Sequence, residues 1–214
     1  MHRRARSAEA KVRRAEDLLD AARTLATERG GVRHLTLANV AEVAGLHPSA
    51  IRRYFESKEE LLLELAERGW NQWRDAIAAE LAGAHDRTPA ELATAMARTL
   101  AALPLFCDLL THVPLSLEGE VEIERARHFK TSSFAAHDDI VDTLTAAGDL
   151  TTDQVQDLVT AAIALTANLW QTSHPTPTLA KLYAEHPRWG HAALDFAPRL
   201  TRLLQATAAG LGRL

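Results

Sequence analysis

The chain has 214 residues, 47% of them apolar and 24% charged, which is the composition of a soluble globular protein and excludes a disordered, collagen-like or disulfide-rich one. Alanine (40) and leucine (32) fill a third of it against 14 valines and isoleucines together, so the fold class expected is all-α. The net charge of −4 is unevenly placed: residues 1–58 carry 12 Lys/Arg and 7 Asp/Glu, residues 59–214 carry 12 and 21.

A basic head on an acidic body fits a protein whose head alone meets a polyanion; a chance run of solvated charge reads the same way. The single cysteine, Cys107, allows no intrachain disulfide and no cysteine-rich metal site, and fits a reducing cytoplasm. Met1 to Arg14 is charged and shows no signal peptide. The most apolar stretch, Val159 to Trp170, is interrupted by Thr160, Thr166 and Asn168 and falls short of the ~20 residues of a membrane span. No membrane partner is expected.

A first helix is predicted from about Ala8 to Arg29, with Leu18, Leu19, Ala22 and Leu25 on one stripe and Gly30-Gly31 as its stop. Thr36 is placed to cap a short helix, Leu37 to Ala44; Gly45 permits a sharp turn, and a third helix is predicted from Pro48 to Phe55. Ser57 with Glu60 reads as a capping box opening a long helix to about Leu81, and Thr88 with Glu91 opens another to about Ala102. Pro104 and Pro114 bracket a short helix. A long one follows from about Glu120 to Ala147, and Thr151 with Gln154 opens the next, to about Thr172. A short helix is predicted at Leu179 to Ala184 and a last one between about His191 and Ala209.

Thr36 to Phe55 has the spacing of a helix-turn-helix. With Leu37, Val40, Ala41, Leu46, Ile51 and Phe55 inward, the outer side of the second helix carries His47, Pro48, Ser49, Arg52, Arg53 and Tyr54. Such a helix fits the major groove, where arginine reads guanine through O6 and N7. A structural corner with two solvated arginines is the alternative.

Five stretches give a sharper reading: Leu18 to Ala22, Glu28 to Gly31, Leu35 to Ala41, Ala44-Gly45-Leu46, and Tyr54 to Leu62. In order and spacing they resemble the N-terminal domain of TetR-family transcriptional regulators over about residues 15–65. The resemblance implies a DNA-binding head, residues 1–57, including a basic arm. It also implies a helical body, residues 58–214, that dimerises and holds a small-molecule effector. It places Thr36 and Lys58 at phosphate contacts, where helix N-termini already favour an anion. Three positions depart from the family pattern. Ala26 stands where phenylalanine is frequent, His47 replaces a Ser or Thr cap, and Arg52 replaces a tyrosine that commonly touches phosphate. Arg3, Arg4, Arg6, Lys11, Arg13 and Arg14 are candidates for a flexible arm along the DNA.

No cofactor, metal site or catalytic cluster is expected. His112, His128, His137 and His174 lack the i, i+4 pairing of a zinc helix, and Cys107 reads as a small core residue. Asp138, Asp139 and Asp142 read as a solvated face, and the alternating Glu118 to Glu124 as a solvated helix start. The candidate effector residues are Trp70, Trp73, Met96, Phe106, Phe129, His137 and Trp170, large apolar groups with a few polar ones. With no basic cluster among them, a nucleotide or acyl-CoA is disfavoured and an apolar organic molecule expected. Residues 155–170 and the last helix are apolar on more than one face, which the resemblance assigns to a two-fold four-helix bundle, with Leu204→Glu expected to give monomers. The reading is a dimeric, cytoplasmic repressor of a palindromic operator. Its rivals are an all-α enzyme or small-molecule carrier with an incidental helical corner, and a DNA-binding protein without an effector.

Overall fold

The computed structural model describes the backbone of residues 2–192 and 195–213 and the side chains of residues 9–190 and 195–213. Among these the structure is helical throughout, with α1 His2–Arg29, α2 Leu37–Val43, α3 Lys58–Glu80, α4 Pro89–Ala101, α5 Pro104–His112, α6 Ile123–Ala147, α7 Thr152–Ser173, α8 Pro177–Glu185 and α9 Phe196–Leu211.

Helix α1 starts six residues earlier than predicted, because nothing in the N-terminal run of Arg, Ala, Glu and Lys breaks a helix. The expected flexible arm is therefore a helical extension; the side chains of Arg3, Arg4 and Arg6 lie outside the described residues. The helix ends where Gly31 N–H donates to the Ala26 carbonyl at 2.8 Å. A 3-10 turn at Val32–His34, absent from the sequence reading, then buries Val32.

Thr36 caps α2 reciprocally: its hydroxyl accepts from Asn39 N–H at 3.2 Å and its own N–H donates to Asn39 Oδ1 at 3.0 Å. Gly45, at φ +67°, reverses the chain in a conformation costly for other residues. The predicted helix Pro48 to Phe55 is not an α-helix. It is a turn followed by a 3-10 segment, Ile51–Arg53, held by i→i+3 bonds from Ala50 N–H to the His47 carbonyl and from Tyr54 N–H to the Ile51 carbonyl, both 2.8 Å. The segment is short, Pro48 has no N–H, and no hydroxyl or carboxylate caps it, so it tightens. The His47 ring takes the cap role, with Nδ1 accepting from Ser49 N–H at 3.3 Å.

At α3 only half of the predicted capping box forms. Ser57 Oγ accepts from Glu60 N–H at 3.0 Å, but the Glu60 carboxylate turns to Glu56 N–H at 2.6 Å. The boxes of α4 and α7 are complete. Helix α6 starts at Ile123, three residues late, because a π-type turn at Val113–Leu117 and a 3-10 turn at Glu118–Glu120 prolong the exit from α5. Helix α9 starts at Phe196 after a 3-10 turn at Pro187–Ala192.

Helix α3 is the spine of the molecule. It enters from the head and packs against α4, α5 and α6, while α9 closes the far side against α4 and α7. One apolar core runs from Leu18 and Leu19 in the head to Leu204 and Ala208 in α9. Gly69 lets α5 reach α3, since a Cβ there would stand 2.3 Å from the Phe106 ring. Helices α7 and α9 already bury Leu158, Ala162, Leu200 and Leu204 within their own chain. Leu204 is fully buried, so Leu204→Glu would disrupt this core and does not test assembly as expected. Among the apolar residues these helices leave half-exposed are Ala161, Leu165, Ala167, Ala197, Leu203 and Leu211. Leu194, also assigned to the bundle face, lies outside the described residues.

Candidate nucleic-acid interface and effector cleft

His47, Pro48, Ser49, Arg52 and Arg53 are exposed on the outer side of the helix-turn-helix, with Tyr54 half-buried beside them. Ile51 and Phe55 hold this segment to the core, 1% and 7% exposed. In a 3-10 segment successive side chains diverge by a third of a turn, so the two arginines face different ways. Arg53 and Tyr54 face α1 and share an open cleft of about 480 Å3 with Lys11 and Arg14. Sequence reasoning had these four on separate elements. Thr36 is exposed with its hydroxyl engaged in the cap. Lys58, half-buried, donates from Nζ to the Arg33 carbonyl at 3.3 Å and so ties α3 to the 3-10 turn after α1.

In the body, Trp70, Phe129 and His137 meet at the wall of a cleft of about 290 Å3. Trp70 and His137 are 6.4 Å apart edge to face, and Phe106 supports Trp70 from behind at 5.5 Å. Trp73 is sealed beneath, its Nε1–H donating to Thr99 Oγ1 at 3.1 Å, and Met96 is fully buried; neither lines this cleft, and nor does Phe106. Trp170 lies elsewhere, stacked on His174 at 3.9 Å beside a second cavity. Sequence reasoning missed Leu110, Ile163 and Lys130 in the cleft wall. Lys130 pairs with Glu118 at 2.8 Å and lies 5.9 Å over the Phe134 ring. Of the discounted groups, Asp139 stands 3.9 Å from Arg74, and Cys107 is buried with Sγ–H donating to the Leu100 carbonyl at 3.1 Å. Burial pushes the Cys107 thiol up to about 12, so it is not a nucleophile at neutral pH.

A run of alternating charges links the head to α3 and α6 and ends beside the cleft residues Trp70 and Phe129, without itself lining the cleft. In the head, Glu16 accepts from the two terminal nitrogens of Arg68, at 2.5 and 2.7 Å; Arg68 Nε also donates to Glu64 at 3.1 Å. Arg125, on α6, bridges Glu64 at 3.3 Å and Glu67 at 3.0 Å, and Glu67 meets His128 at 3.2 Å. The Arg68 guanidinium holds Glu16 below the usual carboxylate range. No sequence period marks this run, because it crosses three helices.

Residues 18–65 match the family of bacterial regulatory proteins, tetR family, and residues 67–213 match the tetracyclin repressor-like C-terminal domain. The chain belongs to the TetR family. This TetR-family chain is thus a DNA-binding transcriptional regulator with a helical C-terminal domain, as the resemblance implied. Two solved structures share its fold. One is FadR of Thermus thermophilus, a TetR-family transcriptional repressor in complex with lauroyl-CoA, 20% identical, with a TM-score of 0.51 over 85% of this chain and 95% of that one. The other is a proposed transcriptional regulator of Streptomyces coelicolor A3(2), 19% identical, with a TM-score of 0.54 over 93% and 96%. A comparison with curated proteins gave no match. The family is one of regulators rather than enzymes. Among the described residues no single helix is long and apolar enough to cross a membrane.

Proposed function

We propose that this regulator is a cytoplasmic, homodimeric repressor released from a palindromic operator by an apolar small molecule bound in the body cleft. Residues 1–57 form its DNA-binding unit and 58–214 its effector and dimerisation unit. The observation that carries the effector reading is the run of charges from the head that ends beside the cleft. Phe129 and Arg125 lie one turn apart on α6, so an occupant that moves Phe129 moves Arg125, and through Glu64 and Arg68 reaches Glu16. An effector releases DNA only through differential affinity for two arrangements of head and body.

On the DNA, Arg52 with His47, Pro48 and Ser49 faces the groove. Arg53, Tyr54, Lys11 and Arg14 grip one phosphate stretch, and Thr36 and Lys58 another. In the body, Trp70, Phe129 and His137 form the ligand wall, with Trp73, Met96 and Phe106 as its rigid backing. Trp170 serves a different cavity. Among the described residues Lys130 is the one Lys or Arg lining the cleft and is already paired with Glu118, which favours an uncharged occupant over a polyphosphate. The Thermus thermophilus repressor was solved in complex with lauroyl-CoA; its acyl part is an apolar group of this kind, while its CoA part is the charged type that this cleft disfavours.

Two experiments test this. Operator DNA selected from a random pool is titrated with the protein while hydrophobic compounds are screened for tryptophan quenching and DNA release. Compounds that quench must also release; quenching lost in Trp70→Phe and kept in Trp73→Phe places the ligand. If no compound does both, or only highly charged ones do, the effector reading fails. Leu203→Glu, at a half-exposed position of α9, is expected to give folded monomers that no longer bind operator. A monomeric unmutated chain at micromolar concentration in light scattering would overturn the dimer.

A further inference from the structure

A second cavity, of about 410 Å3, opens at the seam between head and body. Ala26, Thr27 and Gly31 form its head side; Leu105, Asp108 and Trp170 contribute to its body side. It shares no lining residue with the body cleft. Its walls are apolar apart from Asp108, Thr27, the Gly30-Gly31 backbone and the His174 imidazole, which lies stacked on Trp170, and Ala26 contributes only a methyl group.

Asp108 is the unusual wall residue, a carboxylate 7% exposed. Oδ2 accepts from the head's Val32 N–H at 2.8 Å, and Oδ1 accepts from Gln171 Nε2 on α7 at 2.8 Å. Among the described residues no lysine or arginine pairs with it; the nearest basic side chain is His112, Nε2 at 3.9 Å, which burial holds toward its neutral form. Both hydrogen bonds come from neutral donors. They satisfy one lone pair on each oxygen and leave the negative charge uncompensated at the edge of a low-dielectric cavity. Gly31 lets the head loop approach the carboxylate this closely, since a Cβ there would lie 3.2 Å from Oδ2.

We propose that this seam cavity is a second small-molecule site, for an organic ammonium compound whose apolar body fills the space between Ala26, Leu105 and Trp170 while its cationic nitrogen meets Asp108. A cation at this position gains a charge-assisted hydrogen bond to a carboxylate held only by neutral donors, whereas an alcohol gains only one ordinary hydrogen bond and a carboxylate is repelled. The occupant touches head and body together, so it sets their relative placement independently of the body cleft. The inference does not require the body cleft to hold an effector.

The test is calorimetric titration of the full chain with tryptamine and two uncharged or anionic counterparts of the same shape, tryptophol and indole-3-propionate. Tryptamine is expected to bind at least tenfold more tightly than tryptophol, and indole-3-propionate not measurably. Asp108→Asn should bring tryptamine down to the level of tryptophol. Thr27→Trp, at an exposed wall position, should abolish binding of both while leaving the fold intact by circular dichroism, and so decides the matter if Asp108→Asn misfolds. Ile163→Phe, which narrows the body cleft, should leave tryptamine affinity unchanged. Tryptophol binding as tightly as tryptamine, or tryptamine affinity surviving Thr27→Trp, would overturn the proposal. Loss of tryptamine binding in Ile163→Phe would overturn it too, by moving the amine into the body cleft.

Discussion

Head and body of this molecule are stabilised in different ways. After the 28-residue α1, the head is made of short pieces: a seven-residue α2, two 3-10 turns and a chain reversal at Gly45, fixed by side-chain caps and a handful of buried aliphatics. The body is made of long helices around aromatic side chains, with Trp73 and Phe129 among the largest fully buried groups. A region held by caps and turns responds to small energies, which suits a part that must change its fit to DNA. A region held by packed rings transmits displacement, because close-packed interiors do not deform continuously. Glu16–Arg68, Val32–Asp108 and Lys58–Arg33 are among the polar ties between them.

The largest expected effect is in the body. Trp73→Ala removes a fully buried indole and leaves the Thr99 hydroxyl without its indole donor, and should cost about 3–5 kcal/mol in denaturant unfolding of the body. Gly69→Ala should cost about 1–3 kcal/mol by driving a methyl group into Phe106. If it proves neutral, α3 and α5 are not packed as described.

In the head, Arg52→Ala should cost roughly 1–3 kcal/mol of operator binding and relax sequence preference at one base pair, read by competition with mutated operators. Arg53→Ala and Lys11→Ala should instead weaken all sequences alike and reduce the salt slope by about one phosphate each. An unchanged slope for Arg53→Ala would remove it from the phosphate cleft. Thr36→Ala should cost about 1 kcal/mol through loss of the α2 cap, lowering DNA affinity while the melting of the body is unchanged. Equal loss of both would mean the two regions fold as one unit.

The smallest effect is at the seam. Burial holds His112 below its ordinary 6.5, against the pull of Asp108, and Lys58 and Arg33 push the same way as burial. The unfolded chain therefore takes up this proton first, and stability should fall as pH drops below about 6.5. His112→Gln should flatten that part of the stability profile.

The all-α class, the caps at Thr36, Thr88 and Thr151 and the exposed face of the helix-turn-helix were legible in the sequence, because each depends on neighbours within a few residues. Where local signals competed, sequence reasoning missed. The segment after Pro48 has the pattern of an α-helix but lacks the length and cap to hold one, and Glu60 had two backbone N–H groups within reach and took the earlier.

The candidate effector residues were chosen for size and polarity, and those properties do not say which side of a helix meets a void. Trp70 and Trp73 sit three residues apart on α3; one borders the cleft and the other is sealed against Thr99, a difference decided by α4 and α6 packing on either side. Likewise Asp108 reads in sequence as an ordinary helix carboxylate. Only the docking of the Val32 turn and Gln171, 76 residues before it and 63 after, makes it a buried charge at a seam. Short-range hydrogen bonding and hydropathy fix the elements one by one, whereas a cavity is the space left between elements distant in the chain, and only tertiary packing decides where that space lies.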